Sequence, residues 1–293
     1  MSNRKTKPES VPARILRCYP GKLSLTGGLV IAENALDLFY PLAAGIAIDA
    51  VILGDLPRAF LMVGVIFAFW LIGALRMAVD TRVYASIYAE IVGQVSQEER
   101  KRGLASSIRI AHAGQARQFV DFFEHQVPAF ATASVSIIGS VAMLLILQPI
   151  VGAVAAAILL VMAVFGVRYT RKTERVSDCL HSRQEQEALV LDRGAPLMVK
   201  RHFRVMGGRR IQLSDLEARA YVLIGVTAVI LFGGLFTVLS FETDVTAGLI
   251  YTLMSYAWTF IFSLDDMPAQ LQAVGKLRDI GKRVVISGEP EMR

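Results

Sequence analysis

The stretch TAGLIYTLMSYAWTFIFSL, Thr246–Leu264, runs into DDMPAQLQAVGKLRDIGKR, Asp265–Arg283, and its reading decides the fold. The first half is an apolar run of membrane-spanning length. The second half is amphipathic and charged, interrupted only by Pro268. As one α-helix the whole stretch would be about 57 Å long at ~1.5 Å per residue, against a hydrocarbon core of about 30 Å. Nearly half of it is therefore expected to stand in water, reaching toward something these residues do not encode.

Five further apolar runs precede it: Leu23–Leu53, Ala59–Val79, Val127–Leu147, Ile150–Val167 and Ala220–Ser240. With 54% hydrophobic and 19% charged residues, the 293-residue chain is too apolar for a water-soluble domain and too interrupted by charge for a simple anchor. The fold class this implies is an all-α membrane protein of six transmembrane helices with long cytoplasmic extensions. Met1–Pro12 is polar and basic, with no short apolar core and small-residue cleavage site after it. No signal peptide is read, and the first span is expected to serve as its own insertion signal. Cys18 and Cys179 fall in stretches assigned to the cytoplasmic side and imply no disulfide framework, so both are read as structural.

The net charge of +6 raises the question of nucleic acid, and the placement of the charges answers it. The outer loops Gly54–Arg58, Gln148–Pro149 and Phe241–Val245 hold a single basic residue, Arg58. Arg100, Lys101, Arg102, Arg171, Lys172, Lys200, Arg201, Arg209, Arg210, Lys276 and Lys282 all lie with the termini or the two long loops. This is the positive-inside pattern over six spans, with both termini cytoplasmic. A bacterial inner membrane is the expected location, the lipid bilayer is the expected surrounding, and no nucleic-acid partner is expected.

Taken in order, Val11–Lys22 is short, basic and partly apolar, and reads as a helix along the inner membrane surface. The second span continues from Ala59 through Asp80, Arg82 and Glu90 to Arg102 without a proline, allowing one helix of about 66 Å. Ile150–Val167 likewise continues through Arg168–Val190, and Ile211–Arg219 leads back into the fifth span. Each long inner loop is thus read as a pair of helical extensions joined at a tip, Gly103–Gly114 in one and Gly194–Gly208 in the other. The outer loops are minimal.

Four local patterns in this frame carry a family likeness. Pro41-Leu42-Ala43-Ala44-Gly45-Ile46-Ala47-Ile48-Asp49, followed by Gly54-Asp55, ends the first span. Gly114-Gln115-Ala116-Arg117-Gln118-Phe119-Val120-Asp121 leads into the third, and Asp192–Phe203 forms the second inner tip. Thr246-Ala247-Gly248-Leu249 opens the sixth. In that order, over about Val11–Arg283, the chain resembles the transmembrane domain of a type I exporter of the ATP-binding cassette (ABC) family. The resemblance implies the ABC type 1 transmembrane fold, with a cytoplasmic segment over 1–22, the six-helix domain over 23–286 and a short tail over 287–293.

The likeness stops at the motor. No G-x-x-x-x-G-K-[ST] loop occurs; Gly21-Lys22 and Gly275-Lys276 lack the upstream glycine and the Mg²⁺-binding hydroxyl, and no Ser-Gly-Gly-Gln signature appears. The chain is expected to have no nucleotide-binding domain, no catalytic residue and no cofactor of its own. ATP and Mg²⁺ would enter through a partner ATPase on a separate chain. The function this implies is the membrane-spanning subunit of an ABC-type exporter. Alternatives are an exporter-shaped regulatory or binding protein without transport, and a secondary carrier using acidic residues for protons.

Counted inward from the outer hairpins, Glu33, Asp37, Arg76, Asp265 and Asp266 all lie about 16 to 20 residues deep, near the inner edge of the hydrocarbon at ~1.5 Å per residue. Glu33 and Asp37 share a helix face, and Arg76 is their natural counter-ion. Two readings stand. These groups line an inward-open cavity that attracts a cationic or polar solute, or they snorkel and pair structurally at the interface. Trp258 and Phe262, with Phe67, Phe69, Trp70, Tyr251, Met254, Tyr256 and Phe260, form either an adaptable surface for hydrophobic solutes or ordinary packing and lipid-facing side chains. His112, His125, His181 and His202 lack zinc-type spacing and are read as solvated loop residues, so no metal site is expected.

A single six-span set with acidic residues on its first and last helices leaves half a cavity open to lipid, so a homodimer is expected. At the second tip, Leu197, Met198, Val199 and Phe203 lie beside Lys200, Arg201 and Arg204 as an apolar ridge with a basic rim. That composition suits either an ATPase-docking surface or anionic headgroups. If Arg171–Val190 is helical the tip stands roughly 30 Å beyond the membrane, which favours the ATPase.

Overall fold

A computed structural model of the chain describes residues 20–101, 114, 117 and 120–265. Those residues form seven α-helices and one π-helical turn, with no strand among them. α1 is Pro20–Ile52, and Pro41 lies inside it. It ends where Gly54 takes φ +74°, a conformation only glycine adopts freely. Gly54 N–H bonds Val51 O and Asp55 N–H bonds Ala50 O, a Schellman arrangement that satisfies the last carbonyls. Asp55 then caps α2 by accepting Arg58 N–H at 3.2 Å. Termination of one span and initiation of the next thus share consecutive residues.

α2, Leu56–Lys101, is one unbroken helix of 46 residues, as the absence of proline predicts. At ~1.5 Å per residue it measures about 69 Å, more than twice the hydrocarbon thickness. A π turn at Phe122–Gln126 precedes α3, Val127–Leu147, with Val127 N–H reaching back to Phe122 O. Pro128 explains the wide turn, because its ring and missing N–H exclude an ordinary bond to Glu124 O.

Gln148 alone separates α3 from α4, Pro149–Glu185. Its backbone is extended, and Pro149 starts the next helix with φ already set. Gly152 sits against Leu145, where a Cβ would strike both backbone and side chain. After Gln186 a short α5, Glu187–Arg193, follows, and then α6, Pro196–Phe241, with 46 residues. α7, Ala247–Asp265, is the last described helix. The expected extensions of Asp265–Arg283 beyond Asp265, the N-terminal surface helix up to Tyr19, and the first inner tip lie outside the described residues.

Two expectations are corrected here, the first being the single helix through Val190, which stops at Glu185 and resumes as α5. The connection at the second tip is not Gly194–Gly208 but Gly194-Ala195 alone, because α6 begins at Pro196 and passes through Gly207 and Gly208. Each glycine costs a helix about 1 kcal/mol relative to alanine, a cost that the surrounding 46-residue helix outweighs.

The helices form two compact units. One contains α1, α2, α3 as far as Gly139, and Thr246–Thr252; α1 packs along α2 within it. Its inner core joins Val83, Tyr84 and Ile87 of α2 to Val120. The other contains Ser140–Val245 and α7 from Leu253, with α4 packed along α6.

Candidate functional site

α1 and α2 meet through charge. Arg76 Nε pairs with Glu33 Oε2, and Arg76 Nη1 reaches Asp80 Oδ2 at 3.3 Å. Gly73 leaves room for the Glu33 carboxylate: a Cβ there would lie 3.3 Å from Oε1. Asp80 is only 5% exposed, and its Oδ1 is buried without a hydrogen-bond partner. Arg76 therefore does pair with Glu33, but its second carboxylate is Asp80 rather than Asp37. Asp80 stands one turn along the same helix, within reach by register, whereas Asp37 is exposed on α1 and forms no ion pair among the described residues. Asp265 is exposed at the end of α7; Asp266 and Pro268 lie outside the described residues.

α7 sorts the aromatic candidates by face. Leu253, Tyr256, Ala257, Phe260 and Leu264 are buried to within about 1% of zero exposure, whereas Trp258 and Phe262 remain exposed. Phe67 and Trp70 on α2 are exposed as well. Thus Tyr256 and Phe260 are core, and Trp258 and Phe262 are surface.

At its N-terminal end α7 is held by α1. Asp49 Oδ2 accepts the Thr246 hydroxyl at 2.7 Å, and Oδ1 accepts Gly248 N–H at 2.8 Å. Thr246 Oγ1 in turn accepts Leu249 N–H at 3.1 Å, so the helix start has an N-cap and a carboxylate at its positive end. Thr252 Oγ1 donates to Gly248 O at 2.8 Å and to Pro41 O at 3.1 Å. Gly45 and Gly248 face each other with no space for a Cβ on either, the small-residue contact by which membrane helices approach closely. Sequence reasoning noted both stretches separately and did not join them.

The second inner tip is helical on both sides. Leu197 is 80% and Met198 66% exposed in the first turn of α6, with Lys200 and Phe203 exposed beside them and Val199 half-buried near Gly194. Leu189 and Leu191 are exposed as well, on α5, within the short apolar run Ala188–Leu191 that the sequence reading passed over. The reading of all histidines as solvated loop residues fails at His202. It is 7% exposed within α6, edge-on to Phe203 at 5.5 Å, because the helix that replaces the expected loop turns it inward. His125 is exposed on the π turn, His181 lies on α4, and His112 is outside the described residues. Cys179 is an exposed free thiol, not a packed one. Among the described residues no cluster of three or more His, Cys, Asp or Glu could hold a metal.

Six of the described helices are long and apolar enough to cross a membrane, and the molecule is an integral membrane protein. The chain belongs to the ABC transporter transmembrane region family, whose profile matches residues 13–248, more than half of its length. Its all-α architecture is the transmembrane fold of that family. A search of curated proteins returns no match.

Proposed function

We propose that the chain is the membrane-spanning subunit of an exporter, acting as a homodimer and driven by a nucleotide-binding ATPase on a separate chain. The carrying observation is the tip between α5 and α6. Two large apolar side chains, Leu197 and Met198, stand in water beside Lys200 at the start of a helix that measures about 69 Å. Exposed aliphatic anchors with a basic rim are what a small docking surface presents, the anchors setting affinity and the charges the encounter. In this reading the tips lie in the cytoplasm of a bacterial cell and both termini share that side. No phosphate-binding loop occurs in these 293 residues, and in this reading ATP and Mg²⁺ are held by the ATPase subunit. Glu33, Asp37, Arg76 and the α7 residues Trp258, Phe262, Asp265 and Asp266 are the groups proposed to face the solute.

Purification from native membranes tests this. An ATPase bearing a phosphate-binding loop is expected to co-elute and to be lost from Leu197→Asp and Phe203→Ala, with insertion unchanged and the mass in lipid nanodiscs still that of a dimer. If the wild type recruits no such ATPase, or both variants recruit it normally, an exporter-shaped regulatory protein becomes the better account.

A further inference from the structure

Asp80 is the group that the ion pairs of α1 and α2 leave unfinished. It is 5% exposed, and of its two carboxylate oxygens Oδ2 takes a bond from Arg76 Nη1 at 3.3 Å, whereas Oδ1 is buried with no partner. The Tyr84 hydroxyl, one turn further along α2, is engaged instead by Thr26 of α1. The apolar cluster of Val83, Tyr84 and Ile87 begins within a turn of Asp80.

The charges that face it do not balance. Arg76 faces Asp80 from its own helix, Glu33 from α1, and Glu124 from the π turn that packs on α2. With Asp80 ionised, three carboxylates face one guanidinium, and Arg76 is already committed to Glu33. Crowded carboxylates and the loss of water both make the most buried member the natural place for a neutralising ion.

Burial narrows the choice of that ion. A metal ion needs several oxygens at short range, and no cluster among the described residues supplies them. An organic ammonium needs three donors satisfied and space beside a guanidinium that is already in place. A proton needs one oxygen and almost no room.

We propose that Asp80 is a reversible proton-binding site, the proton residing on Oδ1 while Oδ2 keeps its bond from Arg76. The O–H bond forms with a proton drawn from water and breaks by returning it, so no other reactant takes part. Uptake removes one of the three negative charges and leaves Arg76 to balance Glu33; release restores a buried excess charge between α1 and α2. The site exists with or without a partner ATPase. Because the bound proton favours the folded protein, stability is full at low pH and declines as the pH rises through the range in which Asp80 lets the proton go.

The full-length protein in lipid nanodiscs tests this. Infrared difference spectra follow the carbonyl stretch of protonated carboxyl groups during a pH titration, with thermal unfolding measured at each step. The wild type is expected to lose one such band between about pH 5 and pH 8, and to lose thermal stability over the same interval. Asp80→Asn, which copies the shape of the protonated acid, should lack that band and hold its stability across the interval. Glu124→Gln removes a neighbouring negative charge from the partly exposed π turn and should move both transitions to lower pH by about one unit. An Asp80 that is ionised throughout would show no band and would make Asp80→Asn less stable than the wild type at about pH 7, which overturns the proposal. So does a band that survives in Asp80→Asn, or a midpoint that Glu124→Gln leaves in place. Should Asp80→Asn fail to fold, the Glu124→Gln midpoint decides by itself.

Discussion

Asp49 Oδ1 accepts the backbone N–H of Gly248 at 2.8 Å, tying the last turns of α1 to the first turn of α7 across 199 positions of sequence. With the Thr246 hydroxyl on Oδ2, one carboxylate serves two donors at a helix start. Asp49→Ala is expected to destabilise the protein by about 1–3 kcal/mol, and Asp49→Asn by less because an acceptor oxygen remains. Thermal unfolding in detergent reads the order; equal effects of the two variants would show that the charge and not the acceptor matters.

The glycine contact behind that bond should be less forgiving. A Cβ on Gly248 would lie 2.5 Å from Asp49 Oδ2 and closer still to Gly45 O, and a Cβ on Gly45 would meet Gly248 O at 2.5 Å. Overpacking of this kind costs about 1–3 kcal/mol. Gly45→Ala and Gly248→Ala should therefore lose yield and thermal stability, while Gly27→Ala and Gly64→Ala, which meet nothing within 4 Å, should be neutral or slightly stabilising.

Arg76 holds two carboxylates, one of them on buried Asp80. Arg76→Leu alone should cost about 3 kcal/mol by leaving that charge unmatched. Adding Asp80→Asn and Glu33→Gln should recover most of the loss. A triple variant as unstable as the single one, measured by denaturant or heat, would mean that Arg76 acts through packing of its stem.

Near the second tip, α5 adds two exposed leucines, Leu189 and Leu191, to those at the start of α6. Leu189→Asp or Leu191→Asp should weaken ATPase recruitment by about tenfold or more, as is expected of Leu197→Asp, if these residues belong to one docking ridge. Wild-type recruitment by both would confine the ridge to α6.

The fold was largely legible because lipid demands it. Apolar runs such as Ala59–Val79 and the absence of proline as far as Arg102 leave α2 little choice but one long helix. Local chemistry was legible only in part. The Arg76–Asp80 pair stood open to reading by its i, i+4 spacing, and Pro128 announced the widened turn ahead of α3. The stop at Gln186 has neither glycine nor proline to mark it, and Gly207-Gly208 marked a stop that does not occur. The Asp49 to Gly248 bond joins residues whose proximity no local spacing encodes; each looked like an ordinary helix end.

α6 joins the inner tip to the outer turn as a single rod, yet it is not uniformly stiff. Gly207-Gly208 and Gly233-Gly234 lie within it, and a Cβ at any of the four would meet nothing within 4 Å. Packing thus does not require these glycines, and they remove side-chain bracing from two short lengths of helix about 39 Å apart. Load applied at Leu197 is expected to concentrate curvature at those two joints, one in the charged stretch ahead of the apolar run Ala220–Ser240 and the other inside that run.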